Sequence, residues 1–144
     1  MVTEAKYRQY ISDFNAACAG RGDGFGAFFD TYYEPDAVFE YVPKARKNSG
    51  RAQLLEFWGG VAEIMQETIR DHTHFISTET AVASEAPSDF RCKTDLEWVG
   101  VKHKAGTVFR LMMAAFYDVS PNDKFQYVRV YSIYNPAYAP AQDG

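Results

Sequence analysis

The stretch Val108-Phe-Arg-Leu-Met-Met-Ala-Ala-Phe-Tyr117 is apolar on both of the faces that an extended chain presents, apart from the single charge of Arg110. Because successive side chains of a strand point to opposite faces, this pattern predicts a central strand that is covered on both sides. We expect the strand to run from Thr107 to Val119. An arginine in such a strand must be paired or serve a ligand, and both interpretations of Arg110 stay open.

Further strands are predicted on either side of this one along the chain. Alternating apolar and polar residues, bounded by turn-forming residues such as Pro87 and Pro121-Asn-Asp123, mark them. The predicted strands are Ala37–Val42, Asp71–Ser77, Thr80–Ser84, Asp89–Gly100 and Phe125–Asn135.

Three stretches of helical spacing precede most of these strands. The predicted helices are Glu4–Ala19, a second that begins after Asp23 and ends before Pro35, and Arg51–Gln66. Helices followed by hairpin-connected strands predict an α+β fold, in which three N-terminal helices pack on a strongly curved, mostly antiparallel sheet. Such a cone-shaped α+β barrel encloses an apolar pocket. We expect one domain over residues 1–135 and a flexible tail over 136–144.

The composition narrows the functional classes. The net charge is −4 and the 15 Lys and Arg are scattered along the 144 residues, so we expect no nucleic-acid partner. Every apolar run is shorter than the roughly 20 residues of a membrane helix, and we expect a soluble, cytoplasmic protein. Aromatic residues make up 16% of the chain, which suits an apolar cavity with hydroxyl groups that orient a ligand.

Three motifs carry a resemblance to a known family. They are Tyr32-Tyr-Glu-Pro-Asp-Ala-Val-Phe-Glu-Tyr41, a helix start at Gly50-Arg-Ala52 and a closing Phe125-Gln-Tyr-Val-Arg-Val-Tyr131. Together with the order of elements, they resemble the nuclear transport factor 2-like superfamily, and more narrowly the SnoaL-like polyketide cyclases and scytalone dehydratase. The likeness covers nearly the whole chain. It implies a homodimer through the outer sheet face and a hydrophobic cyclic substrate in the pocket.

The resemblance also implies a set of site residues. His74, in Arg70-Asp-His-Thr-His-Phe-Ile-Ser77, matches a strand histidine and would act as general acid or base. Tyr41 would donate a hydrogen bond to a substrate carbonyl, and Arg110 would hold the developing oxyanion. Asp95 would pair with Arg110 or orient His74. The expected substrate-binding residues are Trp58, Met112, Ser132 and Tyr134.

Alternatives stay open for several of these residues. His74 has the competing interpretation of a hydrogen-bonded core or edge histidine. The odd-numbered residues of strand 89–100, including Asp95, face either the cavity or the solvent, and the sequence does not decide which. His72 and His74 form a conceivable metal pair, but spacing fixes no third ligand, so neither a metal nor a cofactor is expected.

The predicted function is that of a cofactor-independent lyase or isomerase, such as a dehydratase, a cyclase or a double-bond isomerase. Its substrate would be a polyketide, terpenoid or steroid-like compound, and the chemistry general acid–base catalysis. A noncatalytic ligand-binding or dimeric interaction module of the same fold is the alternative. Epoxide hydrolysis is a weaker one, based on Lys93-Thr-Asp95, which has the spacing of an Arg-x-Asp pair in limonene epoxide hydrolase.

Overall fold

A computed structural model describes residues 1–98 and 100–142 of the chain. Its helices are α1 (Glu4–Cys18), α2 (Gly24–Tyr32) and α3 (Arg51–Ile64). Its strands are β1 (Tyr33–Tyr41), β2 (Arg46–Ser49), β3 (Met65–Ile69), β4 (His74–Ser77), β5 (Ala81–Cys92), β6 (Leu96–Trp98), β7 (Val101–His103), β8 (Val108–Val119) and β9 (Phe125–Tyr134).

Seven of these strands form one sheet in the order β2-β1-β9-β8-β5-β3, with β4 also paired to β5. All neighbours are antiparallel except β1 and β9, which run parallel. Strands β6 and β7 form a separate hairpin. The predicted α+β fold, with three helices on a strongly curved and mostly antiparallel sheet, is confirmed. The predicted central position of β8 is also confirmed, because β8 lies between β5 and β9. The predicted cover on both faces is not, since Phe116 on the convex face is 53% exposed.

The helices cover the concave face of the sheet with aromatic side chains. Thr3 caps α1 by accepting a hydrogen bond from the backbone N–H of Lys6 at 3.1 Å. The buried Tyr7, Tyr10 and Phe14 recur at helical spacing along α1 and so form one face toward the sheet. On β8 the odd-numbered residues point into this core, and the even-numbered ones point to the convex face.

Some element boundaries differ from the prediction. Helix α3 ends at Ile64, and Met65–Ile69 form β3 instead of a helix end and a loop. Strand β5 runs without a break through Pro87, because that residue faces the gap between β3 and β4, where no neighbouring strand requires its missing N–H. The basic loop after β1 contains β2, which pairs with the edge of β1. The predicted strand 89–100 ends at Cys92.

The described part of the predicted tail contains a short 3₁₀ turn at Pro136–Tyr138. Beyond it, the Gln142 side chain accepts a hydrogen bond from the Val108 N–H and donates one to its carbonyl oxygen, both at 2.9 Å. The flexibility of the tail stays a prediction. Within residues 1–98 and 100–142, no helix has the length and apolar character that crossing a membrane requires.

Candidate active site

Two adjoining cavities lie between the helices and the concave face of the sheet. The larger has a volume of about 60 Å³ and the smaller about 30 Å³. Four side chains line both cavities: Phe39, Trp58, Glu67 and Met113. The two spaces therefore meet around a single carboxyl group, that of Glu67.

Glu67 projects from the middle of β3, where alternation turns Met65 and Glu67 inward. Its side chain is only 3% exposed. One carboxyl oxygen, Oε2, accepts a hydrogen bond from the Ser88 hydroxyl at 2.6 Å, while Oε1 has no hydrogen-bond partner. Burial raises the pKa of Glu67 to about 7, although the bond from Ser88 lowers it. A carboxyl group with a free oxygen and a pKa near neutrality can both accept and return a proton.

Tyrosine hydroxyls supply most of the remaining polar surface of the larger cavity. The Tyr7 hydroxyl lies 2.5 Å from Ser84 Oγ and 3.0 Å from the Tyr117 hydroxyl. The Tyr10 and Tyr33 hydroxyls are 2.7 Å apart. Burial raises the pKa of each of these four tyrosines above its ordinary value. They therefore stay protonated at neutral pH and can donate hydrogen bonds to a ligand.

Tyr41 and Trp58 lie at the cavities, as the sequence predicted. Tyr41 is 6% exposed and lines the smaller cavity, and its hydroxyl is 2.6 Å from Ser132 Oγ. Burial raises the pKa of Tyr41. Ser132 thus contacts Tyr41, and its predicted role as a ligand contact stays a prediction. Tyr134 packs beside the ring of His103, with the ring centroids 5.7 Å apart.

The prediction that His74 lines the pocket is wrong. Its side chain on β4 is 76% exposed, and its Nδ1 lies 3.3 Å from Glu85 Oε1 and 3.1 Å from Thr73 Oγ1. Strand β4 pairs only with the end of β5 that lies away from Glu67. His72 precedes this strand and does not share a strand face with His74, and its Nε2 lies 2.8 Å from Glu4 Oε1.

Arg110 and Met112 also point away from the cavities, because the parity of β8 is opposite to the one expected. Arg110 makes a bidentate pair with Asp89 on the convex face, at 2.6 and 3.0 Å. The structural interpretation of Arg110 is therefore the correct one. Met113 rather than Met112 lines the cavities, while Met112 lies in a shallow depression with Tyr131 on the outer face.

Asp95 neither pairs with Arg110 nor approaches His74. It lies in the turn after β5, is exposed, and accepts a hydrogen bond from the backbone N–H of Ala105 at 2.8 Å. Arg91 and Lys93 before it are exposed, and Phe90 and Cys92 point into the core instead. The solvated interpretation of that face is correct.

The sequence pattern does not single out Glu67, because it predicts a third helix as far as Gln66 and leaves Glu67 between two elements. The pattern Met65-Gln-Glu-Thr-Ile69 carries a usable signal, since a strand over these residues places one carboxylate among inward-facing apolar side chains. In residues 1–98 and 100–142, no three His, Cys, Asp or Glu side chains cluster in a way that could hold a metal ion.

Comparison with known proteins gives a likeness at the level of structure. No family model matches the chain, and no curated protein matches it in sequence. A solved structure of a candidate polyketide cyclase from Pseudomonas putida KT2440 is 20% identical, with a TM-score of 0.69 over 91% of this chain and 90% of that one.

Two further solved structures agree with the first. A SnoaL-like polyketide cyclase from Agrobacterium tumefaciens strain C58 is 14% identical, with a TM-score of 0.67 over 92% of this chain and 93% of that one. A nuclear transport factor 2-like protein from Anabaena variabilis ATCC 29413 is 19% identical, with a TM-score of 0.65 over 91% and 90% of the two chains. The chain thus has the nuclear transport factor 2-like fold that SnoaL-like polyketide cyclases share, as the resemblance predicted.

Proposed function

We propose that this protein is a cofactor-independent acid–base enzyme, a lyase or isomerase, that uses Glu67 to move a proton on an apolar substrate. The observation that carries the proposal is the position of Glu67: a buried carboxyl group at the junction of two apolar cavities, with a pKa of about 7 and one oxygen free of partners. A general base works best when its pKa lies near the operating pH. Perturbed carboxyl groups in clefts are accordingly typical of active sites.

The proposed chemistry begins at a carbon next to a substrate carbonyl. Ionised Glu67 takes a proton from that carbon, and the electron pair of the C–H bond moves into an enolate. A protonated tyrosine hydroxyl donates a hydrogen bond to the enolate oxygen; Tyr41 is the candidate in the smaller cavity, and Tyr7 in the larger. Glu67 then returns the proton to another carbon in an isomerisation, or to a departing hydroxyl group in a dehydration.

The size of the cavities restricts the substrate. A cavity of about 150 Å³ holds benzene, and a cavity that holds one water needs about 10–15 Å³. The volumes of about 60 and 30 Å³ accommodate a ligand of a few heavy atoms. A cyclic substrate, which is the class proposed from the resemblance, is larger than either cavity, so the groups that line them would have to move apart to admit it.

Hydrogen–deuterium exchange tests this function without knowledge of the natural substrate. Small ketones and unsaturated ketones, from acetone to cyclohexenone, would be incubated with the protein in heavy water, and exchange next to the carbonyl followed by proton NMR. The wild type should accelerate the exchange of at least one ketone, and Glu67→Gln should abolish the acceleration. Acceleration that survives in Glu67→Gln would contradict the proposal, as would its absence from the wild type across the series.

A homodimer through the outer sheet face belongs to the same proposal. The supporting observation is an apolar stripe along β8 and β9 on the convex face, where Phe116 is 53% and Ile133 is 69% exposed. Apolar patches of this kind are typical of protein interfaces. Light scattering after size exclusion should give twice the mass of the chain for the wild type and the mass of one chain for Ile133→Glu. A monomeric wild type would contradict this part of the proposal.

A further inference from the structure

Two cationic side chains make cation–π contacts with aromatic rings that line the smaller cavity. The Lys44 ammonium nitrogen lies 3.7 Å from the centroid of the Trp98 ring, and the Arg46 guanidinium carbon lies 4.8 Å from that of the Phe57 ring. Trp98 and Phe57 both line the smaller cavity. Lys44 and Arg46 are exposed and are not among the lining residues, so they occupy the solvent side of these rings.

These cations have no acidic partner among the described residues. Arg51, Arg70 and Arg110 each form a salt bridge, whereas neither Lys44 nor Arg46 does. Lys47, the next residue of β2, is exposed as well. Residues 44–47, which span the end of the connection after β1 and the start of β2, therefore concentrate unpaired positive charge beside the cavity of a protein whose net charge is −4.

We infer that the ligand of this cavity carries a carboxylate, which Lys44 and Arg46 hold at the entrance while the apolar part of the ligand extends toward Glu67. The inference rests on the proposed function for its choice of cavity. A cation on a ring face is held in position by the quadrupole of the ring, yet its N–H donors stay free. The planar guanidinium of Arg46 can then pair with both oxygens of a carboxylate.

An alkylammonium ligand is the competing occupant. Aromatic rings around a carboxyl group form a site that suits an ammonium ion. Here, however, the faces of Trp98 and Phe57 already hold two cations of the protein, and a third positive charge beside them would be repelled. The charge at the entrance thus favours an anion.

Intrinsic fluorescence reports binding at this position, because the two tryptophans of the chain, Trp58 and Trp98, both line the smaller cavity. Three probes of nearly equal size would be titrated: butanoate, butanamide and butylammonium. None absorbs where tryptophan is excited. Butanoate should bind the wild type most tightly, and Lys44→Gln or Arg46→Gln should each weaken butanoate roughly fivefold while changing butanamide less than about twofold.

Lys47→Gln is the matched control, because it removes the same charge from the same segment at a residue that is not seated on a ring. It should weaken butanoate by less than about twofold. Equal binding of butanoate and butanamide, preference for butylammonium, no binding of any probe, or an equal effect of Lys47→Gln would each overturn the inference.

Glu67→Gln separates this inference from the proposed function. The variant should keep the preference for butanoate, since Lys44 and Arg46 are unchanged. A wild type that prefers butanoate but exchanges no ketone would contradict the proposed function and leave the inference standing. A wild type that exchanges ketones without preferring butanoate would do the reverse.

Discussion

Two buried carboxylates on adjacent strands have opposite surroundings. Glu67 on β3 and Asp89 on β5 are each 3% exposed, but Glu67 points to the concave face and Asp89 to the convex face. Asp89 accepts hydrogen bonds from Arg110 and from Arg70. Burial by itself would raise the pKa of Asp89, but these bonds hold it below the ordinary value, whereas Glu67 has only the Ser88 hydroxyl and its pKa rises to about 7.

The comparison shows that burial alone does not determine what a carboxyl group can do. Near neutral pH, Asp89 is ionised and its negative charge is compensated by Arg110 and Arg70. Asp89 therefore stabilises the sheet and is not suited to exchange a proton. Glu67 lacks a cationic partner among the described residues, so its charged form is costly and its proton is mobile. The face of the sheet to which each carboxyl group points therefore decides whether it forms ion pairs, as Asp89 does, or can exchange a proton, as Glu67 can.

The largest expected difference between the two sites is in proton transfer. Glu67→Gln should reduce ketone exchange by about 10²-fold or more, since positioned acid–base groups contribute typically 10²–10⁴-fold. Asp89→Asn should change the rate per folded molecule by less than about twofold, because Asp89 lies on the other face of the sheet. Rates would be normalised to the folded fraction from circular dichroism. A similar loss in both variants would show that the contrast between the sites is not a functional one.

The second difference concerns the pH dependence of stability. Folded Glu67 keeps its proton up to about pH 7, whereas the unfolded chain releases it near 4.5. The contribution of Glu67 to the free energy of unfolding is therefore fully present below about pH 4.5 and is lost as the pH rises through 7, a loss of about 3 kcal/mol. Asp89, with its lowered pKa, contributes stability that is lost only in acid.

Urea unfolding at several pH values between about 5 and 8 measures this slope. The wild type should lose stability across the range, and Glu67→Gln should remove most of that loss, so that the variant is the more stable protein at pH 8. A wild-type slope that is unchanged in Glu67→Gln would mean that another group titrates.

Asp89→Asn should have the opposite effect on stability. Removal of the charge leaves Arg110, which is 25% exposed, without its bidentate acceptor, and we expect a cost of about 2 kcal/mol at pH 7. Asp118→Asn is the matched control, because Asp118 is an exposed aspartate on the same face of β8 as Arg110. This substitution should cost less than about 0.5 kcal/mol. Equal costs would indicate that the pair with Arg110 contributes nothing specific.

A smaller effect is expected from the neighbour of Glu67. The Ser88 hydroxyl bonds to Oε2 and lowers the pKa of Glu67, so Ser88→Ala should raise that pKa further. The loss of a hydrogen bond worth about 1 kcal/mol corresponds to a rise of roughly half to one pH unit. Carbon-13 NMR of the glutamate carboxyl groups would follow the titration, and a downward or absent shift would contradict the assigned role of Ser88.

The fold could be predicted from the sequence because its signals are long and redundant. Helical spacing in α1 and the doubly apolar pattern of β8 each extend over ten residues or more, so errors of a few residues at the ends do not matter. The resemblance placed Tyr41 in the pocket, and Trp58 belongs to the apolar face of the predicted third helix; both line the smaller cavity. The resemblance added the pocket to this picture.

The site could not be predicted in the same way, because a shift of one residue exchanges the two faces of a strand. The expected register of β8 turned Arg110 and Met112 inward, and the chain in fact turns Leu111 and Met113 inward. Glu67 depends on where α3 ends, and helix ends are the least certain feature of a sequence pattern. The position of His74 depends on its short strand lying at the sheet edge, which local sequence does not reveal.

The smallest expected effect is that of His74→Ala. The imidazole is 76% exposed and its contacts with Glu85 and Thr73 lie at the surface, where such pairs contribute little. We expect the free energy of unfolding to change by less than about 0.5 kcal/mol and ketone exchange to stay at the wild-type rate per folded molecule. Because His74 and Glu67 are the two residues to which proton transfer has been assigned, this variant is the direct counterpart of Glu67→Gln. A large loss of exchange in His74→Ala would place the proton transfer at the sheet edge and reverse the comparison between the two faces.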